Sequence, residues 1–242
     1  MQATALAGIP EVRAGDDLAA LIVRADPEIA DGDIVVIAQK VVSKAEGRTR
    51  ALAGVEPGEQ ARALAADHDK DARLVQVILD ETAELLRADH GVLICETHHG
   101  FVCANAGVDM SNAPGEGVAI LLPEDPNASA RRIRAALGGR IGVVISDSFG
   151  RPWRLGVTDV AIGAAGIEVL EDWRGRPDTE GRELRATEVA LADQLAAAAD
   201  LARTKTSREP VVVIRGMDRA VTDDDGPGAP ALRRPRNLDM FR

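Results

Sequence analysis

Three short runs of mostly apolar residues limit the folds open to this chain of 242 residues. They cover residues 34–38, 141–146 and 211–214. Such runs are far shorter than the roughly 20 residues needed to span a bilayer, and they are typical of buried β-strands. The sequence therefore predicts several strands in the interior of a folded protein.

Other segments predict a mixture of further strands and helices. Additional strands are expected over residues 1–6, 91–96, 100–103 and 118–122, with Thr97-His98-His99 joining the second and third of these. Apolar stripes predict helices over residues 16–23, 56–66, 71–87, 127–137 and 188–202. Because strands and helices mostly do not alternate, the expected class is α+β.

Net charge limits the possible partners. The chain carries a formal charge of −10 and has a pI near 5.0. An acidic surface repels nucleic acid and anionic membranes, so neither is an expected partner. No basic, apolar leader opens the sequence, and a cytoplasmic location is expected. An anionic substrate then requires a local basic pocket or a bound metal ion.

The two cysteines, Cys95 and Cys103, flank the predicted hairpin. Two cysteines in a chain of this length do not make a disulfide framework, so we interpret them as small core residues in a reducing cytosol. Trp153 and Trp173 are likewise interpreted as packing residues. His98 and His99 are interpreted as turn residues, since adjacent side chains in a hairpin point in opposite directions.

Two aspartates occupy positions suited to a metal site. Asp109 lies in a polar, glycine-containing segment, and Asp147 directly follows the apolar run 141–146 and precedes Ser148. A carboxylate at the end of a buried strand is costly to desolvate unless a cation meets it. Carboxylate and hydroxyl oxygens suit Mg²⁺ or Mn²⁺. Each aspartate alone is equally consistent with a turn or helix cap, so both interpretations stay open.

A basic segment follows the first apolar run. Lys44 and Arg48 bracket Glu46, and together they fit either a phosphate-binding loop or a solvated loop with local ion pairs. The sequence has no Gly-x-x-x-x-Gly-Lys-Ser/Thr run and no Gly-x-Gly-x-x-Gly run opening a helix. These absences argue against a P-loop and against a Rossmann dinucleotide site.

Several motifs in order resemble the coenzyme F-420-0:L-glutamate ligase family. They cover residues 8–10, 15–18, 42–48, 105–112, 144–151, 172–176, 181–184 and 211–216. The resemblance implies GTP-dependent addition of L-glutamate to F-420-0 by a γ-glutamyl link, through an acyl phosphate. It also implies a homodimer with a two-lobed α+β fold, mixed and antiparallel sheets, and the active site near the interface. One ligase domain over residues 1–242 is expected, without the nitroreductase-like domain of some relatives.

The resemblance also assigns site residues. It implies two divalent ions, Mg²⁺ or Mn²⁺, with K⁺ as a further expected ion. Asp109 and Asp147 are implied metal ligands, Ser148 lies at the second metal, and Lys44 acts with the two aspartates in catalysis. The implied nucleotide contacts are Ile9, Pro10, Glu11, Val12, Gln39, Lys44, Asn112, Thr204 and Lys205. This sequence departs from the family pattern at Gln39, where a small hydroxyl residue is usual, and in the glycine-free segment 203–209.

Two other functions fit the same residues. One is a metal-dependent phosphohydrolase, or an amide ligase acting on another carboxylate, which would use the same two aspartates. The other is a non-catalytic binding protein that keeps the fold. A panel of nucleotides and acyl acceptors separates them, because each function predicts a different dependence of GDP release on the acceptor.

Overall fold

A mixed five-stranded sheet is the largest element of the computed structural model, which describes residues 1–204 and 206–240. The strands are β1 (Gln2–Ala5), β2 (Ile34–Ala38), β3 (Thr49–Ala51), β4 (Thr82–Asp89), β5 (Val92–Thr97), β6 (Val102–Ala104), β7 (Val118–Ile120), β8 (Gly142–Arg151), β9 (Arg154–Ala165), β10 (Glu171–Asp172), β11 (Glu188–Val189) and β12 (Val211–Arg215). The helices are α1 (Leu18–Ala25), α2 (Gln39–Ala45), α3 (Glu59–His68), α4 (Ala72–Asp80), α5 (Pro126–Leu137) and α6 (Leu191–Ala202).

The order of strands in the large sheet brings three strand ends to one edge. The order is β1-β12-β2-β8-β9, in which only the β2–β8 pair is parallel. Strands β1, β2 and β8 therefore run in one direction, and the chain leaves β1 and β2 at the same edge. The three apolar runs become the adjacent strands β12, β2 and β8, which confirms the prediction of buried strands.

Both faces of this sheet are covered, which explains why its central strands are apolar throughout. On one face Val35 and Ile37 pack with Ile22 of α1 and with apolar side chains of α5. On the other face Val36 packs with Leu195 of α6. Side chains alternate between the faces along each strand, so a polar residue on either face is buried unless it lies near the sheet edge.

A second part of the chain has its own core. Strands β3 and β7 form one small sheet and β4-β5-β6 another, and they pack with α3 and α4 around residues that include Val75, Ile78 and Leu93. The side-chain amide of Gln39 joins the two parts by donating to the carbonyl of Leu121 at 2.8 Å. The expected α+β class with mixed and antiparallel sheets is confirmed.

The predicted helix over residues 71–87 was wrong in its second half. Helix α4 ends at Asp80, and β4 begins two residues later at Thr82. The hydroxyl of Thr82 donates to the carbonyl of Ile78 at 2.6 Å, which satisfies a carbonyl in the last turn of the helix. Strand β4 forms because it pairs with β5, with Leu85 opposite Cys95.

Other boundaries also differ from the predictions. The helix predicted over residues 188–202 begins only at Leu191, because Glu188–Val189 form β11 and pair with β10. Lys44 lies in a helix rather than in a loop, because α2 starts immediately after β2 and ends at Ala45, whereas Glu46 and Arg48 follow the helix. Strand β8 continues to Arg151, so Asp147 and Ser148 lie inside the strand rather than after it. The reason is that β9 pairs with β8 along this whole length, with Asp147 opposite Val160.

Candidate active site at one edge of the sheet

The segments with predicted site residues meet at the edge where β1 and β2 end. Residues 9–12 follow β1, and α2 follows β2. The last residue of β2, Ala38, lies beside Ser146, so Asp147 and Ser148 extend β8 beyond this edge. Ala38 also donates its backbone N–H to the carbonyl of Pro210 at 2.8 Å, which places the segment before β12 here too. The carboxyl ends of neighbouring strands are the usual place for ligands in such sheets.

Asp109 reaches this edge from the second part of the chain. Its backbone pairs with Ile120, and its carboxylate accepts a hydrogen bond from the backbone N–H of Ser111 at 2.7 Å. The ammonium of Lys40, in the first turn of α2, lies 2.7 Å from the same carboxylate. Burial alone raises the pKa of Asp109, but Lys40 and Ser111 outweigh burial and hold the pKa below its ordinary value. Asp109 is therefore an ionised ligand candidate.

The surroundings of Asp147 disfavour its ionised form. Its pKa is raised to about 7, mainly by burial and also by the charges of Asp159 and Asp109, while the Ser148 N–H and Lys40 oppose the rise. Among the residues that the structure describes, no lysine or arginine forms an ion pair with it. The charge of Lys40 therefore compensates this carboxylate only in part, and a bound cation would supply the rest.

The donor set fits divalent cations. Asp109 and Asp147 are close enough for the charge of one to raise the pKa of the other. No cluster of three or more His, Cys, Asp or Glu side chains suited to a metal occurs in the described part of the chain. Magnesium is commonly held by one or two carboxylates and completed by substrate phosphates and water. Two aspartates at this edge match that pattern.

Ser148 lies on the opposite face of β8 from Asp147, because side chains alternate along a strand. Its hydroxyl donates to Asp159 at 2.6 Å. If both Asp147 and Ser148 are metal ligands, as the sequence predicts, they belong to two different ions. The placement of Ser148 at a second metal stays a prediction.

Lys44 is the buried positive charge of the predicted nucleotide region. Its side chain is only 7% exposed, and its ammonium lies 2.5 Å from the carboxylate of Glu11, which is 68% exposed. Val12 is buried beside it, whereas Ile9 is partly buried and Pro10 is exposed. The structure thus brings the 9–12 segment and Lys44 together.

The remaining residues predicted to contact the nucleotide differ in their exposure to solvent. Gln39 is 2% exposed, and its amide donates to Ser43 at 2.7 Å as well as to the second part of the chain. This placement does not support a direct contact between the Gln39 side chain and nucleotide. Asn112 and Thr204 are exposed, and Asn112 has a left-handed φ of 56°. Lys205 lies outside the described residues.

Sequence comparison places this site in a known family. The sequence model of the F420-0:Gamma-glutamyl ligase family matches residues 8–216. The chain belongs to this family. The matched range includes every predicted site residue of the described chain, from Ile9 to Thr204.

Relatives of this ligase family align with nearly the whole chain. The coenzyme F420:L-glutamate ligase of Methanothermobacter thermautotrophicus is 45% identical over 97% of this chain and 96% of its own length. That of Methanopyrus kandleri is 47% identical over 96% of this chain and 94% of its own. That of Haloarcula marismortui is 41% identical over 100% of this chain and 96% of its own.

The structure also tests the interpretations of the histidines and of Trp153. The ring of His99 stacks on Phe101 and its Nε2 contacts the carbonyl of Pro123 at 2.9 Å, while the Nε2 of His98 contacts that of Asp80. The interpretation of both as turn residues is confirmed. Trp153 was wrongly interpreted as a packing residue, because it is 85% exposed at the β8–β9 turn.

Sequence reasoning missed three polar residues of the site. Lys40 was detectable, because it lies one helical turn before Lys44 and therefore on the same face of α2. Asp159 and Arg203 form a buried ion pair of 2.6 Å. They are 44 residues apart in the sequence, and only the placement of a carboxylate within the apolar strand β9 hinted at a partner.

Proposed function

We propose that this protein is a coenzyme F-420-0:L-glutamate ligase, which joins L-glutamate to F-420-0 by a γ-glutamyl link and converts GTP to GDP and phosphate. The observation that carries the proposal is the meeting of Asp109, Asp147 and Lys44 at one sheet edge. The proposal is also supported by the family match and by relatives, named coenzyme F420:L-glutamate ligase, that align with nearly the whole chain. A cytoplasmic location is part of the proposal.

The chemistry requires activation of a carboxylate. A carboxylate is a poor electrophile toward an amine, so its oxygen first attacks the γ-phosphorus of GTP and GDP leaves. The amine of glutamate then attacks the acyl phosphate, phosphate leaves with the electron pair, and the amine loses a proton. Phosphoryl transfer depends mainly on positioning and charge neutralisation, which Mg²⁺ or Mn²⁺ supplies when bound.

The residues at this edge of the sheet can be assigned to the cations and to the nucleotide phosphates. Asp109 and Asp147 are assigned to the cations, with Ser148 at a second ion. Lys44 is assigned to a nucleotide phosphate, since a buried ammonium is a compact positive charge for an anion. Glu11 holds Lys44 in the free protein, and because Glu11 is exposed it can turn into solvent when a phosphate replaces it. K⁺ remains an expected ion without an assigned ligand.

The proposal includes a homodimer joined through the tip of the β8–β9 hairpin. Trp153, Leu155 and Val157 are 85%, 97% and 56% exposed there. Large apolar side chains grouped on one exposed hairpin mark an interaction surface. Strand β8 also carries Asp147 and Ser148, so contact through its tip would place the active site close to the dimer interface.

Mass spectrometry of a defined reaction tests the proposal. Protein, F-420-0, L-glutamate, GTP and Mn²⁺ should give F-420-0 with added glutamyl residues, and GDP should form only when all components are present. Asp109→Asn and Asp147→Asn should abolish product, whereas Asp67→Asn, on the exposed side of α3, should not.

Other outcomes would assign a different function. GDP release without F-420-0 would indicate a phosphohydrolase, and product only with another carboxylate would indicate a ligase of different specificity. Normal turnover by both aspartate variants would overturn the metal assignment. Parallel reactions with ATP, and with or without K⁺, determine the nucleotide and the monovalent ion.

A further inference from the structure

A buried polar cluster lies behind Ser148, on the face of the sheet opposite Asp147. Asp159 is 3% exposed, and its carboxylate accepts from Ser148 at 2.6 Å and from Ser146 at 2.9 Å. Arg203, 9% exposed, donates to the same carboxylate at 2.6 Å and to Ser146 at 2.9 Å. None of these hydrogen bonds involves Asp109 or Asp147, although the charge of Asp159 does act on Asp147.

Arg203 also connects the two ends of one segment. It is the residue that ends α6, and its Nη1 donates to the carbonyl of Pro210 at 3.0 Å. The segment between them contains the predicted nucleotide residue Thr204. Since Pro210 also accepts from Ala38 at the end of β2, the guanidinium ties this segment to the sheet edge.

Asp159 fixes the direction of the Ser148 hydroxyl. A hydroxyl that donates its proton to a carboxylate keeps its oxygen lone pairs on the other side. Those lone pairs are what a cation binds, and a carboxylate behind a ligand both orients it and makes its oxygen a better donor. Net stability alone does not account for such a pair, because desolvating two charges offsets most of their attraction.

We propose that Asp159 and Arg203 are positioning residues: Asp159 orients the Ser148 hydroxyl toward the second cation, and Arg203 holds the 203–210 segment in place for the nucleotide. The inference rests on the proposed function for the identity of the ligands. It assigns roles to two residues that belong to none of the predicted metal or nucleotide positions. The two roles are linked, because one guanidinium group contacts both Asp159 and the segment.

Titration of Mn²⁺ in the presence of a non-hydrolysable GTP analogue tests the first role. Free Mn²⁺ is followed by electron paramagnetic resonance, and the wild-type protein should bind two ions. Asp159→Asn should weaken the second ion about 10- to 100-fold, the range seen when a group supporting a metal ligand is removed. The first ion should be affected less, because Asp159 forms no hydrogen bond to Asp109 or Asp147 and acts on Asp147 only through its charge. Ser146→Ala removes the other hydroxyl from Asp159 and should leave both affinities within about twofold of wild type.

A double-variant cycle separates positioning from general destabilisation. In a Ser148→Ala background the hydroxyl is already gone, so Asp159→Asn should cause no further loss of Mn²⁺ affinity. Equal losses in both backgrounds would overturn the proposal, as would wild-type binding of both ions by Asp159→Asn. If Asp159→Asn fails to fold, Asp159→Asn with Arg203→Met leaves no unpaired buried charge and should show the same loss of the second ion.

Steady-state kinetics test the second role. Arg203→Lys keeps a positive charge beside Asp159 but loses the second arm, Nη1, which donates to Pro210, so KM for GTP should rise about tenfold with kcat nearly unchanged. An unchanged KM would overturn the role of Arg203. The Mn²⁺ titration needs no glutamyl transfer: a wild-type protein that binds both ions but makes no product would refute the proposed function and leave the positioning result intact.

Discussion

The ammonium of Lys40 lies 2.7 Å from the carboxylate of Asp109 and also lowers the pKa of Asp147. One lysine therefore partly neutralises both carboxylates that are assigned to the cations. A divalent ion arriving without nucleotide must compete with this ammonium. Nucleotide phosphates would give the ammonium another partner and so make both carboxylates available.

Lys40→Met should strengthen the binding of Mn²⁺ and weaken the binding of GTP. Without nucleotide, the affinity for Mn²⁺ should increase several-fold because the competing charge is gone. The affinity for GTP should fall about tenfold or more, the loss expected for one charge-assisted hydrogen bond. Isothermal titration measures both, and Lys70→Met, beyond the end of α3, is the matched control. Weaker Mn²⁺ binding by the variant would contradict this role of Lys40.

Asp147→Asn should stabilise the metal-free protein at pH 8. Burial raises the pKa of Asp147 to about 7, so the folded protein binds this proton more tightly than the unfolded chain does. The ionised group thus destabilises the fold above pH 7, and the cost lessens as pH falls toward the ordinary value of 3.8. Each unit of pKa difference corresponds to about 1.4 kcal/mol.

Thermal unfolding in EDTA at pH 8 and pH 5.5 measures this effect. The Tm of Asp147→Asn should exceed that of wild type at pH 8, by roughly 2–4 °C per kcal/mol in a chain of this size, and by less at pH 5.5. The charges that act on Asp147 are Asp159, Asp109 and Lys40, and all remain in the variant. Adding Mn²⁺ should reverse the order at pH 8. A lower Tm for the variant in EDTA would refute the account.

Sequence patterns predicted the structure correctly where a local pattern is compatible with only one structure. A run of apolar residues without alternation is needed only where a strand is covered on both faces. The three such runs became the central strands β12, β2 and β8. The sheet order then follows from pairing, and it brings Asp147 and Lys44 to one edge although about 100 residues separate them in the chain.

Sequence patterns failed to predict the structure in two situations. In one, the same apolar pattern fits a helix and a strand; in the other, a contact joins residues that are far apart in the sequence. Leu85 continues the apolar stripe of α4, so periodicity alone cannot separate the helix from β4, and only pairing with β5 decides. The Asp159–Arg203 pair joins a strand to the end of a helix across the fold. No spacing rule relates such residues, because their contact depends on how α6 packs on the sheet.

Charge on the β8–β9 hairpin tip should break the proposed dimer. Leu155→Glu is expected to yield monomer in sedimentation velocity experiments, because an apolar interface does not accommodate an unpaired carboxylate. Leu155 is 97% exposed, so its replacement should leave the Tm of the monomer unchanged. Leu201→Glu, at a 90% exposed site on α6, is the matched control and should remain dimeric. A dimeric Leu155→Glu protein would place the interface elsewhere.

The two cysteines should resist alkylation in the folded protein. Cys95 and Cys103 lie opposite each other on β5 and β6, both buried and both free thiols. Burial raises the pKa of Cys103 to about 12, with the charges of Asp147 and Cys95 adding to the rise, and burial also raises the pKa of Cys95. Because the thiolate is the reactive form, a pKa near 12 lowers its fraction at pH 8.5 by about three orders of magnitude relative to an ordinary thiol.

Mass spectrometry after treatment with iodoacetamide at pH 8.5 should therefore find both thiols unmodified in the native protein and both alkylated in guanidinium chloride. Cys103→Ser supplies a matched protein in which only Cys95 can react. Rapid native alkylation of Cys103 would contradict this account, because it would mean that β6 separates from β5 and exposes the thiol in solution.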